Sequence, residues 1–269
     1  MLARHAHGAG LGFRRELIAP LKTAVPEAIR FFELAPENWA GMGGRSGKEL
    51  RHFTERYPFV CHGLSLSLGG PGPLDEALLH RIKAFMAEHG MTLYTEHLSW
   101  CADDSHLYDL LPIPLTENAV KWTAERIKRA QDILGQRIGI ENASYYVAPP
   151  GAEMSETDFI SAIVREADCL LHLDVNNIYV NSCNFGFDPF AFMNALPLDR
   201  TCYVHVAGHW VAGIGSPHLE ELAAFHIGQR LFGFQNRKRA IEATRVNFFT
   251  DQHLQYLLLH QAGKTPVER

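Results

Sequence analysis

The chain lacks a C-x-x-C pair, and its five cysteines (Cys61, Cys101, Cys169, Cys183 and Cys202) are an odd number. A disulfide framework and a thiolate zinc site are both disfavoured, and reduced, mostly buried thiols are expected instead. The opening residues, Met-Leu-Ala-Arg-His-Ala-His-Gly, contain no apolar run of signal-peptide length, and no stretch approaches the ~18 apolar residues of a membrane span. A cytoplasmic protein is expected, so the sequon Asn142-Ala143-Ser144 carries no glycosylation signal here. Positive charge is not in surplus: 25 Lys and Arg stand against 30 Asp and Glu, a net −5. There is therefore no electrostatic footprint for nucleic acid or an acidic membrane. Internal repeats, low-complexity tracts, charged tails and a Rossmann glycine fingerprint are all missing.

What remains is an ordinary globular composition with one excess. Hydrophobic residues make up 46% and charged residues 20% of the 269 positions, enough for a sizeable core without cross-links. Histidine occurs fifteen times, more than twice an average share, and imidazole is both the commonest metal ligand and the near-neutral acid/base group.

Short apolar runs alternate with helical patterns. Strands are expected near 10–13, 31–35, 59–66, 92–97, 138–142, 169–175 and 203–207. Helices are expected over 74–89, where Leu78, Leu79, Ile82, Phe85 and Met86 form one stripe, over 117–134, and over 156–167 behind Ser155 as N-cap. This alternation implies parallel strands with crossover helices, and seven units favour an α/β TIM-like (β/α)8 barrel in a single domain, 1–269. No eighth strand is recognisable; 246–249 is a weak candidate, and 219–225 and 254–260 read as helix.

Polar residues recur where the proposed strands end. His62 follows an apolar triplet, Glu96 and His97 end the fourth strand, and Glu141 and Asn142 end the fifth. His172 and Asp174 share one face of the sixth, with Asn176 and Asn177 next; His205 and His209 share parity in the seventh. In a TIM barrel those ends converge on the active site, so successive strands delivering His, Glu and Asp amount to a metal site. Imidazole and carboxylate donors without thiolates suit Fe(II), Mn or Zn. Glu141 could bridge two metals, with His62, His97, His205 and Asp174 around it and Asn142 or Asn176 fixing ligands by hydrogen bonds.

Blander readings apply elsewhere. His5, His7, His52, His80, His89, His106, His226, His253 and His260 sit in helical or loop context and are read as ordinary hydrogen-bonded histidines. Glu33 and Glu37 are read as strand polar residues without a catalytic role, and Asp188 as a turn or helix N-cap residue. His172 and His209 fit the ligand reading and the ordinary reading equally well. Trp100, Tyr145, Tyr146 and Trp210 are equally well explained as cleft lining or as packing.

Taken in order, these stretches resemble the multinuclear non-haem iron-dependent oxidative enzymes, long catalogued as a bacterial domain family of unknown function. The matching residues are Gly10-Leu11-Gly12-Phe13-Arg14, Phe32-Glu33-Leu34-Ala35-Pro36-Glu37-Asn38, His62-Gly63-Leu64-Ser65-Leu66-Ser67-Leu68-Gly69 and Glu96-His97-Leu98-Ser99-Trp100. They continue through Glu141-Asn142-Ala143-Ser144-Tyr145, Leu173-Asp174-Val175-Asn176-Asn177-Ile178-Tyr179-Val180-Asn181 and His205-Val206-Ala207-Gly208-His209. The resemblance implies a TIM-like barrel holding two or three irons and using dioxygen to modify a ribosomally made precursor peptide, often at cysteine, with a separate peptide-recruiting partner protein. Carried over by motif, the metal ligands are His62, His97, Glu141, Asp174 and His205, with His209 and Asn177 beside them; Glu141 and Asp174 are the catalytic candidates.

After His209 the chain departs from the family pattern. The resemblance implies an Asp-x-His-Gly motif and a strand ending in Glu, neither of which is found, so a gap of some tens of residues is expected around 211–218. An absent stretch is favoured over true loss of the eighth strand, because an open barrel would carry unpaired edges. Two other readings stand beside the iron oxidase. One is a metal-dependent hydrolase or isomerase, of the sugar-isomerase or endonuclease type, using Zn, Mn or Mg. The other is a catalytically impaired protein that only binds a partner or peptide.

Overall fold

The computed structural model describes residues 5–103, 106–206 and 248–250. The expected strand–helix alternation is present. In chain order come β1 (Ala9–Gly12), α1 (Ile18–Thr23), β2 (Ile29–Leu34), α2 (Gly44–Thr54), β3 (Phe59–Gly63), α3 (Glu76–His89) and β4 (Tyr94–His97). A hairpin of β5 (Trp100–Ala102) and β6 (His106–Leu111) precedes α4 (Glu117–Leu134), β7 (Gly139–Glu141), α5 (Glu156–Ala167) and β8 (Leu170–Asp174). The described chain then forms α6 (Val175–Phe185), α7 (Pro189–Asn194), β9 (Thr201–Val206) and β10 (Phe248–Thr250).

Eight strands close a parallel barrel in the order β1-β10-β9-β8-β7-β4-β3-β2, and β5–β6 forms a separate antiparallel ribbon. The eighth strand is thus supplied, by residues overlapping the weak candidate 246–249. It spans three residues, too few for an alternating pattern to declare itself. Phe248 pairs with Val204 on one side and Ala9 on the other, so neither neighbour is left with a free edge. The positions 211–218, 219–225 and 254–260 lie outside the described residues.

Local sequence sets the helix ends. Asp75, Thr116 and Ser155 each accept a backbone N–H three residues on, capping α3, α4 and α5. Gly90 (φ 68°) and Gly135 (φ 77°) end α3 and α4 in the left-handed region where a Cβ is costly. Asp188 accepts from Phe190 and Ala191, capping α7 as its sequence context suggests.

Strand alternation divides the core in two. Leu11, Phe32, Leu34, Cys61, Ile140, Leu171, Leu173 and Val204 face the surrounding helices and form the large apolar layer. Phe31, Val60 and Tyr203 point the other way and make a separate cluster on the barrel floor. Gly10 is required there, because a Cβ would stand 2.3 Å from the Phe31 ring. Above this floor the inward positions become polar, and there the candidate site lies.

Beside the mouth, the β5–β6 ribbon is tied to the loop after β3. Ser67 Oγ accepts from the Cys101 and Ala102 amides at 3.0 Å. Arg126 donates to the carbonyls of Leu68, Gly72 and Ser67. Between the ribbon and that loop is a cleft of about 450 Å³ lined by Glu37, Ser65, Arg81 and Asp103, among others.

Candidate metal centre

The inward positions after the floor residues are Glu33 on β2, His62 on β3, Thr95 and His97 on β4, Glu141 on β7, His172 and Asp174 on β8, and His205 on β9. Glu141 is central. Its Oε2 lies 2.9 Å from His62 Nε2, 3.3 Å from His97 Nε2 and 3.9 Å from His172 Nδ1, while its Oε1 lies 3.3 Å from His205 Nδ1. His205 Nδ1 is also 3.5 Å from Asp174 Oδ2, and its Nε2 is 2.7 Å from Glu33 Oε2. The side chains of Glu141 and His172 are 2% and 0% exposed, so the Glu141 charge is shielded from solvent.

Outer partners fix several rings. His97 Nδ1 lies 3.0 Å from the Gly63 carbonyl, which can only accept, so that nitrogen carries the proton and Nε2 faces Glu141. His62 Nδ1 meets Thr95 Oγ1 at 2.8 Å, leaving Nε2 toward Glu141. Asn142 clips β7 to β8 with two bonds: its Nδ2 donates to the Asp174 carbonyl and its Oδ1 accepts the Asp174 amide, at 2.8 and 2.9 Å. Asp174 also caps α6, accepting the Asn177 amide at 2.6 Å. Asn177 Nδ2 donates to the Asn142 carbonyl at 3.0 Å and reaches Glu141 Oε1 at 3.4 Å, which places it as an orienting contact to that carboxylate.

The electrostatics follow from this crowding. Burial alone would raise the Glu141 pKa, yet His97, His172, His62 and His205 together hold it well below the usual carboxylate range. Burial opposes a charge on His97, but Glu141 and Glu96 outweigh it and raise the group to about 9. His205 is likewise raised, against burial, by Glu33 and Glu141. His172 is held neutral by burial and by its neighbour His205. Burial and then Glu141 lift Asp174 to about 6, with His205 opposing. Buried carboxylates are balanced here by protons on imidazoles, and a metal cation is the other species able to balance them.

The residues fit such a cation. His62, Glu141, His172 and His205 each offer a donor atom, all within 4.8 Å of one another. Both ring nitrogens of His172 and Glu141 Oε2 are buried without a directed hydrogen bond among the described residues, a costly arrangement that coordination would relieve. Imidazole and carboxylate donors without a thiolate suit Fe, Mn or Zn.

The structure brings together His62, His97, Glu141, Asp174 and His205 and sets Asn177 against Glu141; His209 lies outside the described residues. His172, which fits either reading from sequence, joins the cluster. Glu33, read from sequence as an ordinary strand residue, meets His205. Its signal was available: it is one carboxylate in an apolar strand, in phase with the floor residue Phe31. Glu96 faces the opposite way from His97 and accepts from Tyr94 Oη at 2.7 Å and the His97 amide at 3.1 Å. His89 Nδ1 pairs with Thr54 Oγ1 at 2.9 Å as a buried helix histidine. Of the aromatic candidates, Trp100 donates to the Ala102 carbonyl and Tyr145 to Glu156, whereas Tyr146 is 89% exposed. Trp210 lies outside the described residues.

Comparisons with known proteins bear on the family and the fold. Among curated proteins, a UPF0276 protein of Nitrosospira multiformis is 65% identical over 200 residues, covering 74% of this chain and 71% of that protein. UPF0276 proteins of Alcanivorax borkumensis (58% over 212 residues, 76% and 71% covered) and Pseudomonas aeruginosa (54% over 202 residues, 75% and 71% covered) are also similar. Among solved structures, a D-allulose 3-epimerase from Methylomonas sp. superposes with a TM-score of 0.58 at 14% identity, covering 97% of this chain and 92% of that one. The 3-keto-D-glucoside 4-epimerase YcjR from E. coli gives 0.55 at 12% identity, with 92% of each chain covered. Identities this low speak for the TIM-barrel fold alone. The family model described as RiPP precursor modification enzyme MbnB/TglH/ChrH matches residues 8–224. The chain therefore belongs to the MbnB/TglH/ChrH family of enzymes that modify ribosomally made precursor peptides.

Proposed function

We propose that the protein is an iron- and dioxygen-dependent oxidase that modifies its precursor peptide at cysteine, using two or three irons in the barrel mouth. The observation that carries this reading is the convergence of imidazoles and carboxylates from β3, β4, β7, β8 and β9 around one buried carboxylate, Glu141. Its ligands are His62, His97, Glu141, Asp174 and His205, with His209 and Asn177 completing the set inferred from the family pattern. His172 is the addition that its buried, unpaired nitrogens support. Iron bound there supplies one-electron chemistry toward dioxygen. The chain's own residues do the rest: Glu141 has one oxygen toward His62 and His97 and the other toward His205, so it would offer a donor on each side. Asp174 supplies a second carboxylate beside His205, and the low exposure of the cluster excludes bulk water. The cleft between Glu37 and the β5–β6 ribbon offers room for a peptide to approach. A separate peptide-recruiting protein and a cytoplasmic setting complete the proposal. Among the described residues no helix is long and apolar enough to cross a membrane.

The test is metal analysis of the purified protein, joined to turnover of a cysteine-containing precursor peptide with and without dioxygen. Iron should be present, turnover should need dioxygen, and Glu141→Ala should lose both iron and activity. Turnover that persists without dioxygen would favour a Zn- or Mn-dependent isomerase or hydrolase on the same barrel; the solved structures of similar fold are epimerases by name. Metal-free protein that binds peptide without turnover would favour a binding role.

A further inference from the structure

We propose that Glu33 is a positioning residue of this centre: its carboxylate holds the Nε2–H of His205 and so reserves Nδ1, which faces Glu141 and Asp174, as the ring nitrogen that would donate to a cation. The inference rests on the metal-centre reading above and adds a residue to it.

An imidazole can offer a lone pair to a cation through one nitrogen while the other keeps its proton. Which nitrogen binds is set by the partner of the other. His205 Nε2 lies 2.7 Å from Glu33 Oε2, the distance of a charge-assisted hydrogen bond. An ionised carboxylate only accepts, so Nε2 keeps its proton on the shorter bond, and Nδ1 is the nitrogen whose proton a cation between it and Glu141 would replace. Nδ1 then lies 3.3 Å from Glu141 Oε1 and 3.5 Å from Asp174 Oδ2, where the candidate ion would share its donors. His97 uses the opposite convention, with Nδ1 held by the Gly63 carbonyl and Nε2 turned inward. The two rings are therefore set independently, and His205 has the stronger orienting partner, because a carboxylate also raises the basicity of the ring it holds.

The barrel is built to allow this contact. β2 and β9 are not neighbours: β1 and β10 lie between them. Glu33 must cross the barrel interior to reach His205. The inward positions of β1 are Gly10 and Gly12, and Gly12 is the register partner of Glu33, so no side chain from β1 stands in its path. Glu33 is 9% exposed, a buried carboxylate committed to an interior partner.

Wild type, Glu33→Gln and Glu33→Ala should be titrated with cobalt(II), reading ions bound per chain and affinity. Zinc-loaded wild type labelled with 15N-histidine should be read for its ring tautomers by long-range 1H–15N spectra. Glu33→Gln, which keeps an oxygen acceptor, should bind the same number of ions with a loss of less than about ten-fold, and Glu33→Ala the same number with a loss of about 10- to 100-fold. His205 should be Nε2-protonated. Unchanged affinity in Glu33→Ala, or a His205 protonated at Nδ1, would overturn the proposal. So would the loss of one ion in both variants, since Glu33 would then be a ligand itself. If circular dichroism shows Glu33→Ala unfolded, the Gln variant and the wild-type spectrum still decide. Wild type that takes up no cobalt would instead overturn the metal-centre reading, a result separable from all of these.

Discussion

Glu141 is a fully desolvated carboxylate that stays ionised because four imidazoles surround it. Exchanging it for glutamine keeps the shape and removes the charge around which those rings are organised. Glu141→Gln should fold and bind no more than a trace of metal, checked by elemental analysis of protein with a native circular dichroism spectrum. A half-buried carboxyl lies away from the centre. Glu156 is pushed up to about 7 by burial, partly offset by the hydroxyl of Tyr145. An acid whose folded pKa exceeds its unfolded value binds more protons when folded. Its contribution to stability is greatest at low pH and is lost as pH rises from about 4.3, the unfolded value, through 7. The difference in melting temperature between Glu156→Gln and wild type should therefore shift in favour of the variant between pH 5 and pH 8. A constant difference across that range would refute the assignment.

At the scale of elements, strand ends were legible in the sequence because a lone His, Glu or Asp closing an apolar run has few explanations. His62, His97, Glu141 and Asp174 were found that way. Glu33 was passed over because its partner lies across the barrel, and contact across a closed sheet leaves no trace in local spacing. α6 was also missed: its Val, Asn, Ile, Tyr and Ser residues are indifferent helix formers. Tertiary bonds override that preference. Asp174 caps the helix, Asn177 bonds to Asn142 and Glu141, and Asn181 accepts the Tyr145 amide and donates to the Ala143 carbonyl. The Asn142 clip is the most exposed to mutation, since both its bonds satisfy buried backbone groups. Asn142→Ala should cost about 2–4 kcal/mol in urea denaturation, as two such groups lose their partners.

The whole molecule closes through three residues. The barrel was legible from strand–helix alternation, but its last strand showed only as the weak candidate 246–249, because a run as short as Phe248–Thr250 carries no periodicity. Paired on both sides, that strand behaves as a central one. Phe249→Pro removes a backbone donor where proline is not tolerated. A loss of about 1–3 kcal/mol is expected, and deleting 248–250 should produce aggregation visible by light scattering, as β1 and β9 become free edges. The Asn142 clip has a consequence for ion choice. The two carboxylates that would share metal ions, Glu141 and Asp174, stand on adjacent strands whose ends are held together by the Asn142 side chain. Any ion that these two carboxylates came to share would meet a gauge cut before it arrived: one too large for the gap would have to strain the strand ends that Asn142 holds together.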